Sequence, residues 1–368
     1  MNRIKILDST RGLAAVMVLF HHLFTRFPHL FAGKFPEWLL AFFQCISDLN
    51  VEAVMLFFFL SGFCIYLSLK NRMPVTKSSF NNYAYRRLKR ILPLYYFAIL
   101  FTFICGLLMH TVTINDDFNF KNLLGNIFFL QSAKSYRGNW FAPYGDNGPF
   151  WSLSFEMFYY FFLPVFLLCM LKINKSATLT THINRSALVA SFFISLTCTF
   201  INKYFFIPYI AFATLFYIWY CGFFVAVLYD GQKKQKADIF LLLLLALFSG
   251  ITWYLKPTAT LYKLFFGAVM SVGIYLLYLL RKKSPHAIVA GSEMGFNFLF
   301  YRIGTGSYAL YLLHYPLLMI LKQQNQLSLF PLVALLILFI IFCIFLERYF
   351  VSKKWLFLKL PAEKRRVF

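Results

Sequence analysis

The chain has 368 residues, 60% of them apolar and 13% charged, with 49 phenylalanines and a formal net charge of +23. So little polar surface cannot cover a water-soluble globule of this size, which excludes a soluble protein and marks an integral membrane one. The positive charge alone fits either nucleic acid or a membrane surface, so its placement along the chain has to decide.

Apolar runs lie at roughly 10–26, 50–70, 90–109, 150–171, 187–203, 207–229, 237–255, 260–280, 303–322 and 328–350. Each is near the ~20 residues that cross ~30 Å of hydrocarbon. They predict an all-α fold, a polytopic transmembrane bundle of about ten helices. The first run follows Arg3 and Lys5 and has the look of a signal peptide, but no small-residue cleavage pattern follows it, which favours a retained helix. Within it, Arg11 and His22 are eleven residues apart, almost three helical turns, so they share a face, while His21 points about 80° away. His22 also lies about 16 Å further along the axis than Arg11. Ionisable groups at such depth usually face a bundle interior or a water-filled cavity, which makes a functional site the first reading. A histidine satisfied by a neighbouring hydroxyl is the plainer one.

Further along, "FKNLLGNIFFLQS" (120–132) is too short to span and is expected to lie in the interface or dip into the protein. It belongs to a long segment, 109–149, ending in "SYRGNWFAPYGDNGPFWSLSFE". Loops of that length usually carry function or are disordered, and the aromatic content here favours an ordered one. Its rings suit packing against a ligand, and Asn139, Asp146 and Asn147 suit hydrogen bonding; an interfacial aromatic belt is the alternative. Near the end, "SYALYLLHYP" places Ser307, Tyr311 and His314 on one face, either lining a cavity or joining helices. The seven cysteines lie mostly in apolar runs without metal-ligand spacing, so no metal site is expected. There is no internal repeat and no soluble appendage, and a single domain is expected over 1–368.

Under the ten-helix count, most of the 36 Lys and Arg residues fall on the side holding the N-terminus, at 70–90, at 281–283 and in the C-terminal tail. This is the positive-inside bias, so both termini are expected in the cytoplasm. Every basic cluster abuts a span, which argues against nucleic acid and for anionic membrane lipids as partners.

"LDSTRGLAAVMVLFHH" resembles the first helix of the membrane-bound acyltransferase 3 family: a leucine-aspartate start, a basic residue, ten residues and a histidine, matched by Arg11 and His22. "VEAVMLFFFLSGFCI" is similar to the family's second helix, "RRLKRILPLYY" to its Arg-x-x-x-Arg motif through Arg86 and Arg90, and "GPFWSLSFEMFYYFFLP" to its Trp-Ser-Leu-Ser-x-Glu segment. "IGTGSYALYLLHYPLL" and the Leu-Glu-Arg at 346–348 are similar to its closing helices. Ser9 and Thr10 depart from the usual Gly-Leu, and "LERYF" lacks a common proline. The resemblance implies transfer of an acyl group, commonly acetyl from cytoplasmic acetyl-CoA, to a hydroxyl of a surface carbohydrate or lipid-linked glycan precursor in a bacterial inner membrane, with no permanently bound cofactor.

The residues suit that chemistry. A neutral imidazole can take the hydroxyl proton, and His22 is the candidate base. Glu156 is the best-placed carboxylate to orient it, with a buried salt bridge to an arginine as the alternative, and Ser152 lies one turn earlier on the same face. Arg86 and Arg90, at i and i+4, form a cationic face for coenzyme A phosphates that Arg11 joins, whereas Arg87 and Lys89 read equally well as headgroup anchors. Trp151, Asn147 and His314, with Ser152, are the candidate acceptor contacts. A glycan transporter or flippase would share the buried charges, but it should show repeat symmetry or paired broken helices.

Overall fold

The computed structural model describes residues 5–69, 77–112, 116–133, 140–176, 180–205, 207, 209–230, 236–283, 296–323 and 328–352. Asn139, the basic residues of 70–76 and the C-terminal basic tail fall outside these residues. Among the described residues all regular structure is helical. In chain order the α-helices are α1 (Lys5–Arg26), α2 (Glu37–Asp48), α3 (Asn50–Leu69), α4 (Lys77–Leu108), α5 (Phe120–Ile127), α6 (Trp151–Ile173), α7 (Thr181–Tyr204), α8 (Phe216–Asp230), α9 (Lys236–Leu255), α10 (Ala259–Lys283), α11 (Phe296–Gly304), α12 (Ser307–Gln323) and α13 (Leu329–Ser352).

Among the described residues, eight segments are long and apolar enough to cross a membrane: Glu37–Leu69, Ser78–Leu108, Gly148–Ile173, His182–Tyr204, Ile210–Asp230, Lys236–Leu255, Ala259–Leu277 and Leu329–Val351. Two runs of the sequence count fall short of that composition or length. α1 carries Asp8, Arg11, His21, His22 and Arg26, and α12 has 17 residues, a histidine and Pro316. Their polarity has a packing counterpart, because α1 lies against α3, α11 and α12 instead of facing outward alone. α8 shows the opposite extreme: it is apolar all round, and it is enclosed by α3, α7 and α10.

Without a hydrophobic drive between helices in lipid, close approach of backbones at small residues holds the bundle. At the α3–α8 crossing, Gly62 abuts the Trp219 carbonyl and Gly222 the Phe59 carbonyl. At the α1–α11 crossing, Gly12 meets the backbone of Phe300, and Gly304 that of Asp8. A Cβ at any of these would strike backbone, which cannot swing aside.

The run expected at 303–322 falls on two helices, because Thr305 and Gly306 interrupt it. The break frees backbone N–H groups at the start of α12. The Glu347 carboxylate of α13 fills the vacancy, its Oε2 accepting from Tyr308 N at 3.0 Å and Ala309 N at 3.1 Å, a favourable place for negative charge. α4 starts well before the apolar run at 90, so its arginines sit inside a continuous helix.

Candidate active site

α1, α3, α4, α6, α12 and α13 surround a cavity of about 450 Å³. On α3 its wall runs from Val54 to Ser68, about 21 Å along the axis. At the end near the start of α1 and α4 the lining is cationic, with Arg11, Arg87 and Arg90. Arg11 donates to Cys64 Sγ at 3.2 Å and lies 3.7 Å from Asp8. Arg87 donates to Ser68 Oγ at 3.1 Å, and Arg90 extends into the open space. Arg86, one residue before Arg87, is not part of this lining.

Two carboxylates occupy the middle. Glu347 caps α12, and Glu156 Oε1 accepts from Ser61 Oγ at 2.6 Å and from the Tyr160 hydroxyl. Ser61 in turn accepts from Trp219 Nε1 at 3.2 Å, so the serine proton is directed at the carboxylate. At the far end Ser152 Oγ and the Tyr311 hydroxyl are 2.8 Å apart, beside Val54, Phe57 and Phe58.

His22 lies beyond that pair. The Tyr311 ring is 6.0 Å from His314, and the His314 ring is 5.2 Å from His22. Tyr315 stands 5.2 Å from His22 and accepts a hydrogen bond from Arg26, whose guanidinium also lies over its ring. Among the described residues the His22 ring makes no hydrogen bond, and Ser152 and Tyr311 separate it from Glu156. The neighbouring His21 turns to α2, where its Nδ1 bonds the Ser47 carbonyl at 2.9 Å. The two adjacent histidines thus serve different surroundings, as their 100° step along the helix requires.

The ionisable groups of this cavity sit on helices spread along the whole chain, and a single family model, described as an acyltransferase domain, matches residues 4–348. The chain belongs to the acyltransferase 3 family. Comparison with curated proteins and with solved structures gives no match.

The remaining candidate contacts of the acyltransferase take other places. Asn147 is fully buried, its Nδ2 donating to Thr102 Oγ1 at 3.0 Å and to the Leu312 carbonyl at 3.1 Å. That carbonyl is the one Pro316 cannot pair, since proline has no N–H to offer four residues on. Asn147 therefore ties the loop to α4 and α12. Trp151 packs on Phe58 and Phe155, with the Lys263 ammonium 5.8 Å over its ring, outside the cavity lining. The segment before it is folded onto α5, as Asn126 bonds the Ala142 carbonyl at 2.8 Å and Tyr144 N at 3.1 Å.

Glu347, Ser61, Tyr160 and Arg87 enter the acyltransferase's cavity without having stood out as candidates. Glu347 carried a usable signal, an acid directly after the apolar stretch 329–346 and inside the run 328–350. Ser61 and Tyr160 carried none, because hydroxyls in apolar helices are common and only the neighbouring helix gives them a role. Among the described residues no group of three or more His, Cys, Asp or Glu could hold a metal ion.

Proposed function

We propose that this protein is a multi-pass O-acetyltransferase of a bacterial inner membrane, with both termini in the cytoplasm, that moves acetyl from cytoplasmic acetyl-CoA to a hydroxyl of a surface polysaccharide or its lipid-linked precursor. The observation that carries the reading is the cavity's polarity. It has a cationic end, suited to coenzyme A phosphates, and a long body that closes on Ser152 and Tyr311, within two side chains of His22. Arg11, Arg87 and Arg90 bind the nucleotide end by charge-assisted hydrogen bonds, and the pantetheine arm lies along α3, so the thioester reaches the Ser152–Tyr311 layer. His22 takes the proton of the acceptor hydroxyl as its oxygen attacks the thioester carbonyl. The carbonyl oxygen gains charge beside Tyr311, whose hydroxyl turns its proton from Ser152 to the oxyanion while Ser152 stays bonded to the Pro149 carbonyl. The carbon–sulfur bond then breaks, and the coenzyme A thiolate takes the proton back from the imidazolium. Glu156, held by Ser61 and Tyr160, and Glu347, at the start of α12, keep the arginine end of the cavity balanced in charge and fixed in shape.

The experiment is mass spectrometry of surface glycans from cells with and without the gene. A loss of mass equal to one acetyl group per modified residue, with glycan export intact, is expected. Unchanged glycan chemistry with lost export would replace the enzyme by a transporter.

A further inference from the structure

His314 is nearly sealed, with 1% of its surface exposed. Its Nδ1 lies 3.0 Å from the Leu310 carbonyl. A carbonyl can only accept, so Nδ1 carries the proton, and Nε2 of the neutral ring is left as a bare acceptor. That Nε2 is buried and has no partner among the described residues. A buried acceptor without a donor is costly and calls for an explanation.

Of the polar groups around it, the Tyr311 hydroxyl is bonded to Ser152, the Tyr315 oxygen accepts from Arg26, and His21 Nδ1 is bonded to Ser47. The His22 ring, with its centre 5.2 Å away, has no hydrogen bond among the described residues. Glu156, the carboxylate expected to orient that histidine, is held by Ser61 and Tyr160 on the far side of Ser152.

We infer that His314 is a positioning residue for His22: when the His22 ring turns to donate its N–H, His314 Nε2 accepts it, and the other imidazole nitrogen is presented, with its lone pair, to the acceptor hydroxyl. This rests on the reading of His22 as the base. When His22 takes the acceptor's proton, its N–H to His314 becomes a charge-assisted bond, stronger than the neutral one. His314 keeps its own Nδ1 proton throughout, and the transferred proton leaves on the coenzyme A thiol. His314 touches neither substrate.

The test uses the full-length protein in lipid nanodiscs, radiolabelled acetyl-CoA, and envelope glycan from cells lacking the gene as acceptor, with rates normalised to folded protein. His314→Gln keeps a polar atom near the position of Nε2, whereas His314→Asn reaches only to that of Nδ1. His314→Asn is expected to lower kcat by about 10²-fold with KM for acetyl-CoA unchanged, and His314→Gln to recover most of that loss. In the double variant with His22→Ala, His314→Asn should cost nothing further. Equal loss in the Gln and Asn variants, or KM changing together with kcat, would show a packing residue and overturn the inference. His22→Ala inactive with His314→Asn at full kcat would remove His314 alone, while an active His22→Ala would remove the base and this inference with it.

Discussion

Asn147→Ala separates a structural asparagine from a substrate contact. The substitution deletes two hydrogen bonds, to Thr102 at 3.0 Å and to the Leu312 carbonyl at 3.1 Å. Hydrogen bonds between helices in a membrane average about 0.6 kcal/mol, so the pair accounts for roughly 1 kcal/mol. The Leu312 carbonyl, which Pro316 leaves without its helical partner, adds the cost of a buried unsatisfied acceptor, roughly 1 to 3 kcal/mol. Against this, removing Asn147 also removes its own buried, unpartnered Oδ1. The expected net loss is about 2 kcal/mol. Pro316→Ala supplies the missing N–H four residues after Leu312. In that background Asn147→Ala should cost only the Thr102 bond, about 0.6 kcal/mol, so the cycle carries a coupling of about 1 kcal/mol. The assay is reversible unfolding in mixed micelles for the four proteins, with KM for the acceptor measured alongside. Additive losses would refute the pairing of Asn147 with the orphaned carbonyl. A raised KM at full stability would return Asn147 to the substrate.

Arg90→Ala should weaken acetyl-CoA binding by about 10-fold to 100-fold, the range for a hydrogen bond to a charged group, and Arg87→Ala should act in the same direction, with added salt reducing the difference. Arg86→Ala should do less in the same titration, and an equal effect there would move the donor path away from the cavity. In a background lacking native cysteines, Trp140→Cys should react with an impermeant thiol reagent from outside intact cells and Ser78→Cys should not; the reverse labelling would invert the topology. Gly62→Ala should destabilise the bundle by about 1 to 3 kcal/mol, because the new methyl meets the Trp219 backbone. Gly273→Ala, which faces open space, is the control, and equal unfolding curves for the two would mean the α3–α8 crossing is looser than described.

Much of the helical plan is legible in the sequence because an apolar run of spanning length has few other uses. What is not legible arises where packing, and no local signal, sets the structure. α2 falls between the first two apolar runs, and its contacts with α1 through His21 and Ser47 reveal its place. The early start of α4 is hidden because its first turns are polar. The break at Thr305–Gly306 is hidden inside a run whose flanks are apolar, and the close approaches beside it, of Asp8 to Gly304 and of Ile344 to Gly306, are tertiary facts. The same division holds at the site. Residues on one helix have a fixed relation, so the shared face of Arg11 and His22 and the divergence of His21 follow from spacing. The relative depth of two helices does not. The Ser152–Tyr311 contact and the glycine crossings set those offsets, and they leave Glu156 beside Ser61 and Tyr160 rather than beside His22.

The most direct test of the central claim, that His22 is the base of acyl transfer, compares His22→Ala with His21→Phe in label transfer from acetyl-CoA by purified protein, normalised to folded molecules. Loss of a general base lowers turnover by ~10² to 10⁴, and His22→Ala should show that loss with its fold intact. His21→Phe should keep substantial turnover, because the His21 ring nitrogen is bonded to Ser47 of α2 and a phenyl ring can keep its edge contact with His22. An inactive His21→Phe beside an active His22→Ala would contradict the assignment and move the base to the other histidine; full activity in both would make the pair packing residues and leave the proposed chemistry without its base.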